Sequence, residues 1–249
     1  MRRIDLNEAA NFLREHDRFL ILMHGSPDGD TVGCGTALCG ALQQIGKLAR
    51  TACPDPLPKK FGYMFRELKE QEFEPETIVA VDVADTKLLY GMREVGEKTQ
   101  LCIDHHVSNT EYAERLLLAP EYAAAAELMF ELLSSMKEVR ITSSIADSLY
   151  TGIATDSGCF KYSNTSPQTH VYAAELIKLG ADIVPINYAM FDMKSQGRLK
   201  LEQLALSRIR YYVGGRIAVI DVTQSLIDSI EGIDLSLIHI SEPTRLRRI

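Results

Sequence analysis

Short, uninterrupted apolar runs recur through the first hundred positions, with helix-like stretches between them. Residues 18–23 (RFLILM), 77–83 (TIVAVDV) and 100–103 (QLCI) are apolar on successive positions and lack the polar alternation of a sheet with one wet face. Strands of that kind are buried on both sides, as in a parallel sheet covered by helices. Residues 48–53 (LARTAC) are a fourth, more polar candidate. Residues 5–16, 31–45, 61–70 and 85–95 carry helical spacing, so strand and helix alternate as βαβ units do. From Ala119 to Gly180 the pattern is mainly helical, over 123–136, 143–154 and 166–179, the last with Pro167 in its first turn and Gly180 at its exit.

After Pro185, the apolar positions Met190, Met193, Leu199, Leu204 and Ile209 predict one long helix over 185–210, weakened at Gly197 and bridging two domains. Residues 211–223 (YYVGGRIAVIDVT) then read as a β-hairpin with Gly214 and Gly215 as its turn. The expected organisation is an α/β domain over 1–184 with helices on both faces of a parallel sheet, the bridging helix, and the start of a second α/β domain over 211–234. Residues 235–245 (LSLIHISEPTR) read as the translation of a common sequencing adapter, so 235–249 are expected to be foreign and His239 to carry no function.

Composition narrows the class. With 249 residues, 46% of them hydrophobic, the chain can bury a sizeable core, which excludes disorder and a simple coiled coil. A net charge of −7 argues against an overall basic coat for polyanions, though not against a local one. The N-terminus is charged and amphipathic, and no window has the length of a membrane span, so a soluble cytoplasmic protein is expected. Five widely spaced cysteines without a CxxC pair suit buried thiols in a reducing compartment.

Chemistry gathers where the predicted strands end, which is where open α/β sheets place their sites. His24, Asp28 and Asp30 follow the first strand in HGSPDGD, where Pro27 and Gly29 predict a tight turn that gathers them. Asp82 and Asp85 end TIVAVD, Asp104-His105-His106 end QLCI, and Asp156 closes YTGIATD on a helix. Alone, PDGD is an ordinary turn and an Asp after a strand an ordinary helix cap. Jointly, carboxylates and imidazoles without thiolate suit hard to borderline divalent ions: Mn²⁺ first, with Mg²⁺, Co²⁺ or Fe²⁺ as alternatives. The supply is enough for two ions, which together could hydrolyse a phosphate ester or anhydride.

These residues resemble the DHH phosphoesterase superfamily, through HxxPDGDxxG, the single Asp after TIVAV, DHH at 104–106, and a GIxTDSGxF block at 152–160. The stretch MFDMKSQGRLKLEQLAL further resembles the bacterial group that combines oligoribonuclease with 3′-phosphoadenosine 5′-phosphate (pAp) phosphatase activity, the NrnA-like proteins. The resemblance implies His24, Asp28 and Asp82 on one ion and Asp30, Asp82, His105 and Asp156 on the other, with a hydroxide bridging the ions as nucleophile. It implies catalytic roles for His106, near the scissile phosphate, and for Asp104, which would orient a histidine. Cys34 stands where the family often has Ser, and it is expected to touch helix packing and leave the ligands alone. Short single-stranded RNA or a mononucleotide is the implied substrate, with a homodimer allowed. Cyclic-di-AMP or pApA phosphodiesterase and manganese pyrophosphatase are alternatives, and a binding module without turnover is a non-enzyme one. The family's second domain, DHHA1, holds substrate with a GGGH-type segment that the chain lacks. The expectation is therefore a C-terminally truncated substrate domain and weak activity. Of the basic residues between Lys194 and Arg216, Arg198 is the candidate substrate contact, against the plainer reading of a solvated helix face.

Overall fold

The structure, a computed structural model, describes residues 1–230. The adapter-like residues 235–249 and the last part of the expected second domain lie outside the described residues. The chain divides into two compact units, Met1–Phe191 and a second that opens at Asp192.

The first unit is built on a six-stranded, wholly parallel sheet: β1 (Arg2–Arg3), β2 (Phe19–Leu22), β3 (Ala49–Ala52), β4 (Thr77–Val81), β5 (Leu101–Asp104) and β6 (Arg115–Leu118). Its spatial order is β1-β6-β5-β4-β2-β3. The chain moves outward from β2 to β3 and then crosses to β4 on the other side of β2, so a topological switch point lies between the ends of β2 and β4. Its helices are α1 (Leu6–Glu15), α2 (Gly29–Gln44), α3 (Arg93–Gly96), α4 (Ala125–Ser135), α5 (Ser143–Asp156), α6 (Pro167–Lys178) and α7 (Ile183–Asn187).

The unbroken apolar runs serve two cores. Phe19, Ile21, Val79, Val81, Leu101 and Ile103 share one with residues of α1, α2, α4 and α5. On the opposite face, Leu20, Leu22, Ala80, Cys102 and Leu116 meet Val83 and Leu89 in a smaller core, flanked by Met92 and Val95. This face is covered by a 3₁₀ turn at Thr86–Met92 and by α3, where one helix over 85–95 was expected. The helix is broken at Tyr90, whose φ of 43° and ψ of −115° are not helical. The helix expected over 61–70 is likewise a 3₁₀ turn, Lys59–Phe65. Past it, Lys69 exchanges hydrogen bonds with the Gln43 side chain at 2.9 Å each, so tertiary partners replace helical ones. β1 and β6 were not foreseen, since two and four residues carry too little pattern.

Glycines let α2 and α5 approach closely. A Cβ on Gly33 would overlap the Ser148 carbonyl oxygen, and one on Gly152 would crowd Asp30. Glycine in a helix costs about 1 kcal/mol relative to alanine, a cost that packing must offset. Gly33→Ala is expected to lower stability by about 1–3 kcal/mol, through separation of the two helices. Urea denaturation would measure it, and an unchanged midpoint would contradict the close-approach role.

The long helix expected over 185–210 is interrupted. α7 runs into a π-helical turn at Tyr188–Asp192, and a new helix, α8 (Gln196–Leu206), begins after Ser195. Ser195 adopts extended backbone and its hydroxyl accepts the Arg198 N–H, so a cap sets the break and not Gly197, which is buried one residue into α8. In the second unit α8 is followed by an antiparallel hairpin, β7 (Arg210–Tyr212) and β8 (Ile217–Val219), and by α9 (Gln224–Asp228). Gly214 and Gly215 turn the hairpin at φ 63° and 86°, joined by Val213 at 53°. Among the described residues, no helix is long and apolar enough to cross a membrane, and the five cysteines are free.

Candidate metal centre

The turn after β2 and the start of α2 are one device. Ser26 takes φ 52°, Asp28 caps α2 by accepting the N–H groups of Asp30 and Thr31 at 3.0 and 3.1 Å, and Gly29 is the first helical residue. The helix thus starts two residues before the expected Thr31. Gly29 is required because a Cβ would overlap the Thr155 side chain of α5.

Three donor groups form at the switch point: His24, Asp28 and Asp82; Asp30, His105 and Asp156; and Asp82, His105 and His106. His24 Nε2 lies 3.6 Å from Asp28 Oδ1 and 3.5 Å from Asp82 Oδ2. His105 Nε2 lies 3.4 Å from Asp156 Oδ2, 3.7 Å from Asp82 Oδ1 and 3.9 Å from Asp30 Oδ2. Asp82 therefore turns one oxygen to each histidine. It does so from φ 56°, a left-handed backbone that aspartate tolerates better than most residues but that still carries strain. Asp85, paired with Asp82 in the sequence reading, is absent from these groups and caps the following turn through the Lys87 N–H.

Backbone carbonyls orient the imidazoles of both His24 and His105. His24 Nδ1 bonds to the Gly25 carbonyl at 2.8 Å and His105 Nδ1 to the Tyr122 carbonyl at 3.1 Å. Held through Nδ1, each ring turns Nε2 to the carboxylates, where a cation could replace the Nε2 proton. Asp82 Oδ1 and His105 Nε2 are buried and have no hydrogen-bond partner. His105 Nε2 and the carboxylate oxygens, 3.4 to 3.9 Å apart, are wider than ordinary hydrogen bonds and leave room for a shared cation between them. The residues fit divalent metal, with oxygen and imidazole ligands and no thiolate.

Without metal the centre is electrostatically crowded. Burial, and after it the carboxylates of Asp82 and Asp156, holds Asp30 well above the ordinary carboxylate range. Burial pushes Asp82 up to about 7, with Asp28 and Asp156 adding to the rise and His24 opposing it. Burial disfavours charged His24, but Asp28 and Asp82 outweigh it and push the imidazole up to about 11. His105 rises to about 10, where Asp156, Asp30 and Asp82 outweigh burial. Protons thus hold together a ligand set that a cation would hold in their place.

Asp30 has a second occupation that the sequence did not reveal. Its two oxygens accept the Ala125 N–H at 2.6 Å and the Ala126 N–H at 2.9 Å, which caps α4 from across the domain; Ala124, the cap residue in sequence, has no side chain for the task. Cys34 is closer to the chemistry than expected, with its thiol 3.6 Å from Asp30 Oδ1, one helical turn back along α2. Asp104 is fully buried and orients His106, accepting its Nδ1–H at 2.8 Å and its backbone N–H at 3.1 Å. The other Asp104 oxygen accepts from Asn109 Nδ2 at 2.6 Å. Asn109 was missed, and its only sequence signal is a polar residue close behind DHH. Arg198 lies in the second unit, on α8, with Nε 3.2 Å from Glu202 Oε1.

A parallel sheet with a carboxylate–imidazole cluster at its switch point defines an α/β protein whose side chains could hold a metal ion. The chain matches the model of the DHH family, N-terminal domain, over residues 18–153, and it belongs to that family. The bifunctional oligoribonuclease and PAP phosphatase NrnA of Thermus thermophilus is 30% identical over 200 residues, 78% of this chain and 60% of that protein. The protein of the same description from Mycoplasma genitalium is 31% identical over 191 residues, 74% and 60% of the respective chains. The chain thus spans about three fifths of the length of these curated relatives. An exopolyphosphatase-related protein from Bacteroides fragilis has the same fold, with a TM-score of 0.79 at 24% identity over 91% of this chain and 72% of that one.

Proposed function

We propose that the protein is a two-metal phosphoesterase acting on short oligoribonucleotides and on pAp. The observation that carries the two-metal reading is the division of Asp82 between His24 on one side and His105 on the other. His24, Asp28 and Asp82 would hold one divalent ion, and Asp30, Asp82, His105 and Asp156 the second, with Mn²⁺ the best match to the donors. Bound there, the ions supply Lewis acidity, neutralising phosphate charge and making a water molecule nucleophilic near neutral pH. The substrate half of the reading is supported by relatives described as oligoribonucleases and PAP phosphatases.

The remaining work belongs to the side chains. The His106 ring is held by Nδ1 on Asp104, which leaves Nε2 to meet the substrate phosphate. The Asp104 hydrogen bond raises His106 above the ordinary imidazole value, which favours a charged ring able to donate a proton to the leaving oxygen. Asp104 holds the ring in place, and Asn109 holds Asp104. Arg198 remains a candidate phosphate contact on the second unit.

Comparing hydrolysis of pApA, pAp, cyclic-di-AMP and pyrophosphate with Mn²⁺ tests the reading. Values of kcat/KM for pApA and pAp are expected to exceed the others by about tenfold or more, a difference of about 1.4 kcal/mol or more in transition-state stabilisation. A preference for pyrophosphate would overturn the substrate assignment, and hydrolysis that persists after removal of all divalent ions would overturn the mechanism.

A further inference from the structure

The 3₁₀ turn after β4 carries an aromatic side chain that neither core uses. Tyr90 is 55% exposed, while its neighbour Leu89 is fully buried. Its backbone, at φ 43° and ψ −115°, is one that glycine enters freely and an L-residue adopts only under strain. The fold bears that strain without gaining a buried ring. The ring does have a seat: a Cβ on Gly25 would overlap Cε2 of Tyr90, so the ring edge rests on the backbone beside His24. The seat is fastened, since the Gly25 N–H donates to the Leu88 carbonyl at 2.7 Å and ties the turn to the loop that bears the ligands. His24 Nε2 in turn lies 3.5 Å from Asp82 Oδ2. An exposed aromatic ring is thus fixed at the edge of the proposed metal position formed by His24, Asp28 and Asp82.

We infer that Tyr90 is a stacking platform for the base of a nucleotide whose phosphate binds at the metal centre, an inference that rests on the phosphoesterase reading above. An inorganic phosphate has nothing to place against the ring. A nucleobase presents a flat π-face, and stacking on an aromatic side chain tolerates any base. That suits an enzyme for short oligonucleotides of mixed sequence.

The strain provides a test that separates binding from folding. Tyr90→Gly removes the ring and supplies the residue the backbone prefers, so its Tm is expected to equal or exceed that of the wild type. Calorimetric titration of adenosine 5′-monophosphate in the presence of Mn²⁺ should show affinity weakened roughly 5- to 100-fold. Tyr90→Trp should retain wild-type affinity within about twofold, and inorganic phosphate should bind all three proteins alike. Unchanged nucleotide affinity in Tyr90→Gly, or equal losses for nucleotide and phosphate, would overturn the inference while the metal-dependent hydrolysis of the wild type stood. A folded glycine variant with a sharply lowered Tm would assign Tyr90 a structural role instead. A wild-type protein that binds phosphate but no nucleotide would remove the nucleotide reading and this inference with it.

Discussion

Asp82→Asn is expected to lose both metal ions together and to lower kcat/KM by about three orders of magnitude or more, the scale of losing several kcal/mol of transition-state stabilisation. The reason is the placement of its oxygens, with Oδ2 3.5 Å from His24 Nε2 and Oδ1 3.7 Å from His105 Nε2. Asparagine is the informative replacement. Residue 82 sits at φ 56°, where alanine would add backbone strain to the chemical change, whereas asparagine tolerates that region and removes only the charge. His24→Ala, by contrast, should lose one ion and keep the other. Metal analysis of the desalted proteins would show it, and two tightly bound ions in Asp82→Asn would disprove the sharing.

Removal of metal is expected to leave a fold that weakens as pH rises, and metal is expected to reverse that trend. Asp82 is held up to about 7 against an ordinary 3.8. Between those values the native state keeps a proton that the unfolded chain has lost, so stability falls as pH climbs through the interval. His24, at about 11, and His105, at about 10, act in the same direction from their ordinary 6.5 upward. Their charged pairing supports the fold fully below pH 6.5 and is lost as pH rises through the native values. A divalent ion needs those same groups deprotonated, so its affinity grows with pH as it takes over their role. At Mn²⁺ concentrations about a thousandfold above Kd the stabilisation is about 4 kcal/mol, or roughly 8–16 °C in Tm. Thermal unfolding with EDTA and with Mn²⁺ at about pH 6 and about pH 8.5, on either side of the ordinary imidazole value, should show the larger shift at the higher pH. Equal shifts would mean that these groups do not exchange protons for metal.

The sheet was legible because β2, β4 and β5 are buried on both faces and leave that mark in RFLILM, TIVAV and LCID. β6 was not, because its four residues, between Ser108-Asn109 and Pro120, are too short a run to carry a strand pattern. The 85–95 segment shows a different limit, since its apolar spacing suits a helix and nothing in the letters announces the backbone reversal at Tyr90. In the candidate metal centre the residue types were readable from chemistry, as carboxylates and imidazoles gather at strand ends. Their division was not: His24 and Asp28 share one group while Asp30, two residues on, turns to His105 and Asp156. That split follows from α2, whose first turn rotates successive side chains away from one another. Supporting contacts through backbone groups, such as the Tyr122 carbonyl on His105, leave no trace in residue identity.

The double occupation of the first motif bears on how a decaying copy of this gene would look. Asp28 starts α2, and Asp30 starts α4 by bonding the Ala125 and Ala126 N–H groups. A pseudoenzyme descended from this chain would lose about 0.5–2 kcal/mol of helix capping with either carboxylate. His24 and Asp156 carry no comparable duty through their Nε2 and carboxylate atoms, and selection on folding would release them first. Retention of PDGD is therefore a poor witness to activity in any such descendant, and loss of His24 or Asp156 is the earlier sign that the chemistry has gone.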